Sequence, residues 1–122
     1  MAKFKEMFDS YVWVDDQVSV EIDGWIFTAR IEFDEDSRPD DCDCYSNRKK
    51  GDWAQNKWFF CSVVLDLLHI ESGLENTWAY SLSGIECNFN KKANKYLDEV
   101  ANDLLNEALS ELPKIEVQNN EG

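Results

Sequence analysis

The apolar positions of the chain change period several times, and each change marks an element. Gln17 to Ile22 alternates apolar with polar, Asp23-Gly24 follows, and Trp25 to Phe33 alternates again. Period-two runs on either side of Asp-Gly predict a β-hairpin, with Val18, Val20 and Ile22 sharing a buried face with Phe27, Ala29, Ile31 and Phe33. The stretch Lys57 to Leu68 is apolar on both alternating faces, Phe59, Cys61, Val63, Leu65 and Leu67 on one and Trp58, Phe60 and Val64 on the other. That pattern predicts a central strand that needs a cover on each side. Alternation resumes from Thr77 with Trp78, Tyr80 and Leu82 on one face, and Gly84 is placed to end the strand or bulge it before Ile85-Glu86-Cys87.

Two segments carry a helical period instead. From Lys95 to Leu112, Tyr96, Leu97, Val100, Ala101, Leu104, Leu105, Ala108, Leu109 and Leu112 form a broad apolar stripe, with Asn94 as a candidate N-cap and Pro113 as the expected stop. Near the start, Phe4, Met7, Phe8 and Tyr11 fall at i, i+3, i+4 and i+7, which predicts a short amphipathic helix on the sheet. Periodicity stops between Asp34 and Asn56, where acidic positions precede Arg48, Lys49 and Lys50 and where Trp53 is a candidate anchor. The expected architecture is an α+β domain: a four-stranded antiparallel sheet near 17–22, 25–33, 57–69 and 77–87, a long C-terminal helix packed on one face and a short N-terminal helix. Residues 1–122 form one domain, with 34–56 as a long acidic loop and 113–122 as a flexible tail. The second face of the central strand falls to the N-terminal segment, to the loop or, in a homodimer, to a second subunit.

Charge changes the picture most. Asp and Glu number 25 against 12 Lys and Arg, a formal net charge of -13. Such a field repels nucleic acid and anionic lipid and favours basic partners, so neither direct nucleic-acid binding nor a membrane role is expected. No apolar run reaches the roughly 20 residues of a membrane span, and Met1 to Glu6 lacks a signal-peptide core, which points to the cytoplasm. In that compartment Cys42, Cys44, Cys61 and Cys87 are expected as reduced thiols.

The negative charge is concentrated in two places. On the predicted C-terminal helix, Glu99, Asp103, Glu107 and Glu111 recur every fourth position with no lysine between them. Each like-charge i,i+4 pair costs roughly 0.2–0.5 kcal/mol, so the row is not there for helix stability. It advances roughly 6 Å per step, close to the spacing of backbone phosphates, although a solvated acidic face serving solubility accounts for the same residues. The loop supplies Asp34, Glu35, Asp36, Asp40, Asp41 and Asp43. With Trp53 these positions make up the candidate partner-binding set.

Chemistry is otherwise thin. Read as a calcium loop from Asp34, the chain has Arg38 where a ligand belongs, Pro39 at the turn glycine and Tyr45 at the closing glutamate. Cys42-Asp43-Cys44 is too tightly spaced for a structural zinc pair and has no matching second pair. His69 has Asp66 nearby but no nucleophile motif, and there is no glycine-rich phosphate loop. No cofactor, metal or catalytic residue is implied.

The segments Ser81 to Glu86 and Tyr96 to Leu109, with Arg38-Pro39-Asp40-Asp41 and Lys57-Trp58, resemble a family of small uncharacterised proteins encoded in bacteriophages and prophages, over roughly residues 17–112. The resemblance carries no functional residue. It implies a setting in which small acidic proteins act as inhibitors of host defence, occupying the DNA- or RNA-binding surface of their target in the host cytoplasm. The reading that follows is a non-enzymatic acidic binding protein, a nucleic-acid mimic that docks on a basic host protein. The alternatives are a small metal-dependent hydrolase using loop carboxylates and a phage accessory or structural protein.

Overall fold

The structure, a computed structural model, describes residues 2–41, 43–90 and 94–121, with the backbone alone at positions 41 and 113–121. Strands β1 (Gln17–Ile22), β2 (Trp25–Phe33), β3 (Phe59–His69) and β4 (Glu75–Cys87) form one antiparallel sheet in the order β1-β2-β3-β4. Helices α1 (Asn47–Ala54) and α2 (Lys95–Glu121) complete the α+β fold. The hairpin stands at the residues its sequence predicts: Ile22 pairs with Trp25, and Asp23 and Gly24 both take positive φ, 53° and 83°, as a tight turn between right-twisted strands requires. Phe33 departs from the expected buried set and is 49% exposed, since it is the last residue of β2.

One face of β3, with Cys61, Val63 and Leu65 fully buried, packs with Trp25, Phe27, Ala29 and Ile31 of β2 beneath Leu97, Val100, Ala101, Leu104, Leu105 and Ala108 of α2. The helix lies over β3 and β4. The β1 side of that face is closed by the N-terminal segment, which is not the predicted helix. Phe4, Phe8 and Val12 are buried there, whereas Met7 and Tyr11 are 74% and 61% exposed.

The reason is a set of hydrogen bonds that a helix would not leave free. The amide of Ala2 donates to Asn106 Oδ1 (3.1 Å), that of Phe4 to Asn102 Oδ1 (2.9 Å) and that of Phe8 to Asp98 Oδ1 (2.8 Å). Asn106 Nδ2 donates back to the Ala2 carbonyl and Asn94 Nδ2 to that of Ser10. Farther along, Val12 exchanges two hydrogen bonds with the Asn88 carboxamide. Asn94, just before α2, and Asp98, Asn102 and Asn106 on it, four residues apart, thus act as a row of side-chain partners that replaces helical hydrogen bonding in residues 2–12. Asn94 is buried in this network, bonded through its carboxamide to Ser10 and Asn88, which is a different use from the predicted N-cap.

The second face of β3 is covered from the loop. Trp58, Phe60 and Val64 are buried, and Tyr45 and Phe89 close on Trp58 with ring centroids 5.4 and 4.9 Å away. Trp58 Nε1 donates to the Lys49 carbonyl (2.8 Å), and Lys49 Nζ sits 4.3 Å from the Phe89 ring while donating to the Phe89 carbonyl (2.5 Å). This anchors α1, whose N-cap Ser46 accepts from the Lys49 amide (3.2 Å). The stretch between β2 and β3 is therefore partly helical, with a 3₁₀ turn at Pro39–Asp41 and then α1.

Strand β4 breaks register twice against β3. One break holds Gly84 at φ 74°, the bulge its sequence suggests. The other takes in Trp78 at φ 57°, so Trp78 does not share a face with Tyr80 and Leu82 but stacks on Arg30, whose guanidinium carbon lies 5.0 Å from the ring centroid. Asp66 holds this arrangement by accepting from Arg30 Nε (2.7 Å) and from the Trp78 amide (2.7 Å). Helix α2 also runs past its expected stop at Pro113 to Glu121. Proline's fixed φ is a helical value, which lets the backbone continue, although a proline within a helix loses one hydrogen bond and crowds the preceding turn at a cost in stability.

Leu105 is fully buried, and Leu105→Ala should lower unfolding free energy by about 2–5 kcal/mol in chemical denaturation. Asn102→Ala removes the acceptor of the Phe4 amide and should cost about 1–2 kcal/mol. Asp98→Asn should not. Burial pushes the Asp98 carboxyl above its ordinary pKa, against the Phe8 hydrogen bond that lowers it. The folded chain then holds this proton at higher pH than the unfolded chain, so ionised Asp98 opposes folding at neutral pH and ceases to do so as the pH falls below the unfolded value. An amide keeps the oxygen acceptor without the charge, and urea unfolding at neutral pH should show stability equal to or above that of the native chain.

Candidate functional site

Side chains at Asp98, Asn102 and Asn106 are occupied by the N-terminal strap, and the next position round the helix at each step is the acidic row. Glu99, Asp103 and Glu107 are exposed and Glu111 is half-buried. Among the described residues no ion pair joins Glu99, Asp103 or Glu107. Because four residues exceed one turn by about 40°, the row drifts round α2 as it advances. Its C-terminal end comes over β4: burial first, then the charges of Glu111 and Glu107, raise the Tyr80 hydroxyl above its ordinary pKa. Exposed apolar side chains accompany it, Tyr96 on α2 (50%) and Leu82 on β4 (44%).

The loop carboxylates are arranged differently. Asp34 is buried, and its carboxylate accepts from the Asp36 amide (3.0 Å), Ser37 Oγ (2.8 Å) and the Gly84 amide (2.8 Å). Burial alone would raise its pKa, but these hydrogen bonds outweigh it and hold Asp34 below the ordinary carboxylate value. Asp34 is thus the pin that ties the start of the loop to the β4 bulge. Asp40 lies 4.0 Å from the Arg38 guanidinium, and Arg38 in turn lies 5.0 Å from the ring of half-buried Trp53. Glu35, Asp36 and Asp43 are exposed. The Asp41 side chain and Cys42 lie outside the described residues.

The two acidic groups belong to different elements. Helix α2 covers one face of the sheet, and α1 with Tyr45 covers the other. The loop also carries its own countercharges in Arg38, Arg48, Lys49 and Lys50, whereas the α2 row from Glu99 to Glu111 has none in its sequence. Among the described residues no group of His, Cys, Asp and Glu converges as metal ligands would. His69 Nδ1 is paired with Ser72 Oγ (2.7 Å) and its ring leans on Trp25, a turn contact at the end of β3. Cys44 is disulfide-bonded, where reduced thiols were the expectation, and Cys61 and Cys87 are free and buried.

Sequence periodicity alone singles out the acidic row but not its neighbour. The signal for the tether was present as Asn94, Asp98, Asn102 and Asn106 at the same spacing of four, matched by Phe4, Phe8 and Val12 in the strap. No helix among the described residues is long and apolar enough to cross a membrane.

Asp34 supplies a pH test. Its depressed pKa means that its contribution to stability is complete above the unfolded value of about 4 and is lost as the pH falls through the folded one. Asp34→Asn should be less stable than the native chain at pH 7, and the gap should narrow in urea titrations carried out at successively lower pH. A gap that stays constant down to strongly acidic pH would remove Asp34 from this role.

No family model, curated protein or solved structure matches the chain.

Proposed function

We propose that the protein is a non-enzymatic acidic binding module that docks the outer face of α2 on the basic surface of a nucleic-acid-binding protein. The observation that carries this is the row Glu99, Asp103 and Glu107, exposed and, among the described residues, in no ion pair, on a helix fixed to the sheet by Leu97, Leu104 and Leu105. A rigid row of carboxylates roughly 6 Å apart offers a basic groove the charge pattern of a nucleic-acid strand with little ordering cost on binding. The loop acids serve this less well, since Asp34 is consumed inside the fold and the others lie among Arg38, Arg48, Lys49 and Lys50. The resemblance to phage-encoded proteins supplies a setting, a host defence protein met in the host cytoplasm. No observation favours the hydrolase or accessory-protein alternatives.

The test is capture from host lysate with the native chain and with the Glu99→Gln, Asp103→Asn, Glu107→Gln, Glu111→Gln variant. Folding should be retained or slightly improved in the variant, because like charges at i,i+4 repel. Basic nucleic-acid-binding proteins should be enriched by the native chain and released by added duplex DNA or RNA. Their association with the variant should slow by about tenfold or more and lose most of its salt dependence. A variant that captures the same proteins at the same rate, or captured proteins indifferent to nucleic acid, would leave the row as a solubilising face.

A further inference from the structure

Two thiols in the core stand in an arrangement that nothing in the binding reading uses. Cys61 of β3 and Cys87 of β4 are both fully buried, and their sulfurs are 2.6 Å apart. They are diagonal neighbours on the same face, since Cys61 pairs with Ile85 and Phe59 with Cys87. Both are free. A disulfide needs sulfurs about 2.05 Å apart, so roughly half an ångström remains to be closed. The register break directly after Cys61, at the bulge that contains Gly84, is where the strands can give that distance.

We propose that Cys61 and Cys87 are an oxidation site, a dithiol that a low-molecular-weight disulfide converts into a covalent link between β3 and β4. In the first step one thiolate attacks a sulfur of oxidised glutathione, forming a mixed disulfide and expelling one glutathione thiolate. The second cysteine's thiolate then attacks the protein sulfur of that mixed disulfide, forming the Cys61–Cys87 bond and expelling the second glutathione. The protein gives up two electrons and two protons, and oxidised glutathione becomes two molecules of glutathione. The hydrogen bond with the Cys87 thiol, and then burial, hold the Cys61 thiol well above its ordinary pKa, so the native core reacts slowly. Exchange proceeds when β4 opens or before the chain has folded. Cys44, on the surface and already disulfide-bonded, shows that the fold accommodates an oxidised chain. The link would fasten the edge strand β4 to β3 beside the Asp34 pin and so make the stability of that edge depend on redox state.

The chain is reduced, unfolded in urea and refolded with oxidised glutathione; it is then alkylated under denaturing conditions, digested and mapped by mass spectrometry. The expected result is a peptide pair joined through Cys61 and Cys87, with the corresponding alkylated peptides lost. In a Cys42→Ser, Cys44→Ser background, oxidation should raise the urea midpoint and a reductant should return it. Adding Cys61→Ala should abolish that redox response whatever it does to the midpoint itself. Recovery of both Cys61 and Cys87 as alkylated thiols after oxidative refolding would overturn the proposal. So would linkage of either one to Cys42 or Cys44 instead.

Discussion

Burying both faces of β3 is the constraint on which the structure depends. Phe59, Cys61, Val63, Leu65 and Leu67 look one way, and Trp58, Phe60 and Val64 the other; all are buried, so a single layer packed on the sheet could not complete the fold. The covers differ in kind. On one side α2 offers a continuous aliphatic stripe, which packs by area and shape. On the other, an aromatic cluster of Tyr45, Trp58, Phe60 and Phe89 is held by the Trp58 indole and the Lys49 ammonium, which bond to backbone carbonyls. That second cover turns an apparently featureless acidic stretch into structure, and it explains why a loop of such length stays against a small domain.

The helix does two jobs with adjacent rows. Its asparagine row is turned toward the strap and exchanges hydrogen bonds with backbone, so it is spent on the fold. On its acidic row, one position on, Glu99, Asp103 and Glu107 are turned to solvent and meet no opposite charge among the described residues. Placing a costly row of like charges beside a fully used polar row separates what the fold requires from what it does not. The proposed docking function rests on that contrast.

Much of the fold was legible in the sequence where local chemistry and tertiary packing ask for the same thing. Asp23-Gly24 fixes the hairpin because its backbone preference and the strand alternation agree, and the α2 stripe is long enough that no strand could carry it. The fold parts from the sequence pattern where a short spacing has two structural solutions. Phe4 and Phe8 suit a helix or a strap equally, and Met7 and Tyr11 tipped the spacing toward a helix while in fact facing solvent. Trp78 leaves the face of Tyr80 because it lies inside a register break of two extra residues, between Asn76 and Tyr80, and its positive φ there has no sequence signature. The acidic row was legible as a row; that Asp34 is a buried pin and not a docking carboxylate depends on the Gly84 amide fifty positions away, which no local pattern encodes.

Amide hydrogen exchange followed residue by residue by NMR tests the two-sided account most directly. Central β3 amides should exchange only through global unfolding. The amides of Phe4, Phe8 and Val12, which belong to no helix or strand, should also be strongly protected, because their acceptors are Asn102, Asp98 and Asn88 side chains. Exchange of these three at the rate of an unfolded chain, with β3 still protected, would show that the strap is not a cover of the core and would contradict the account.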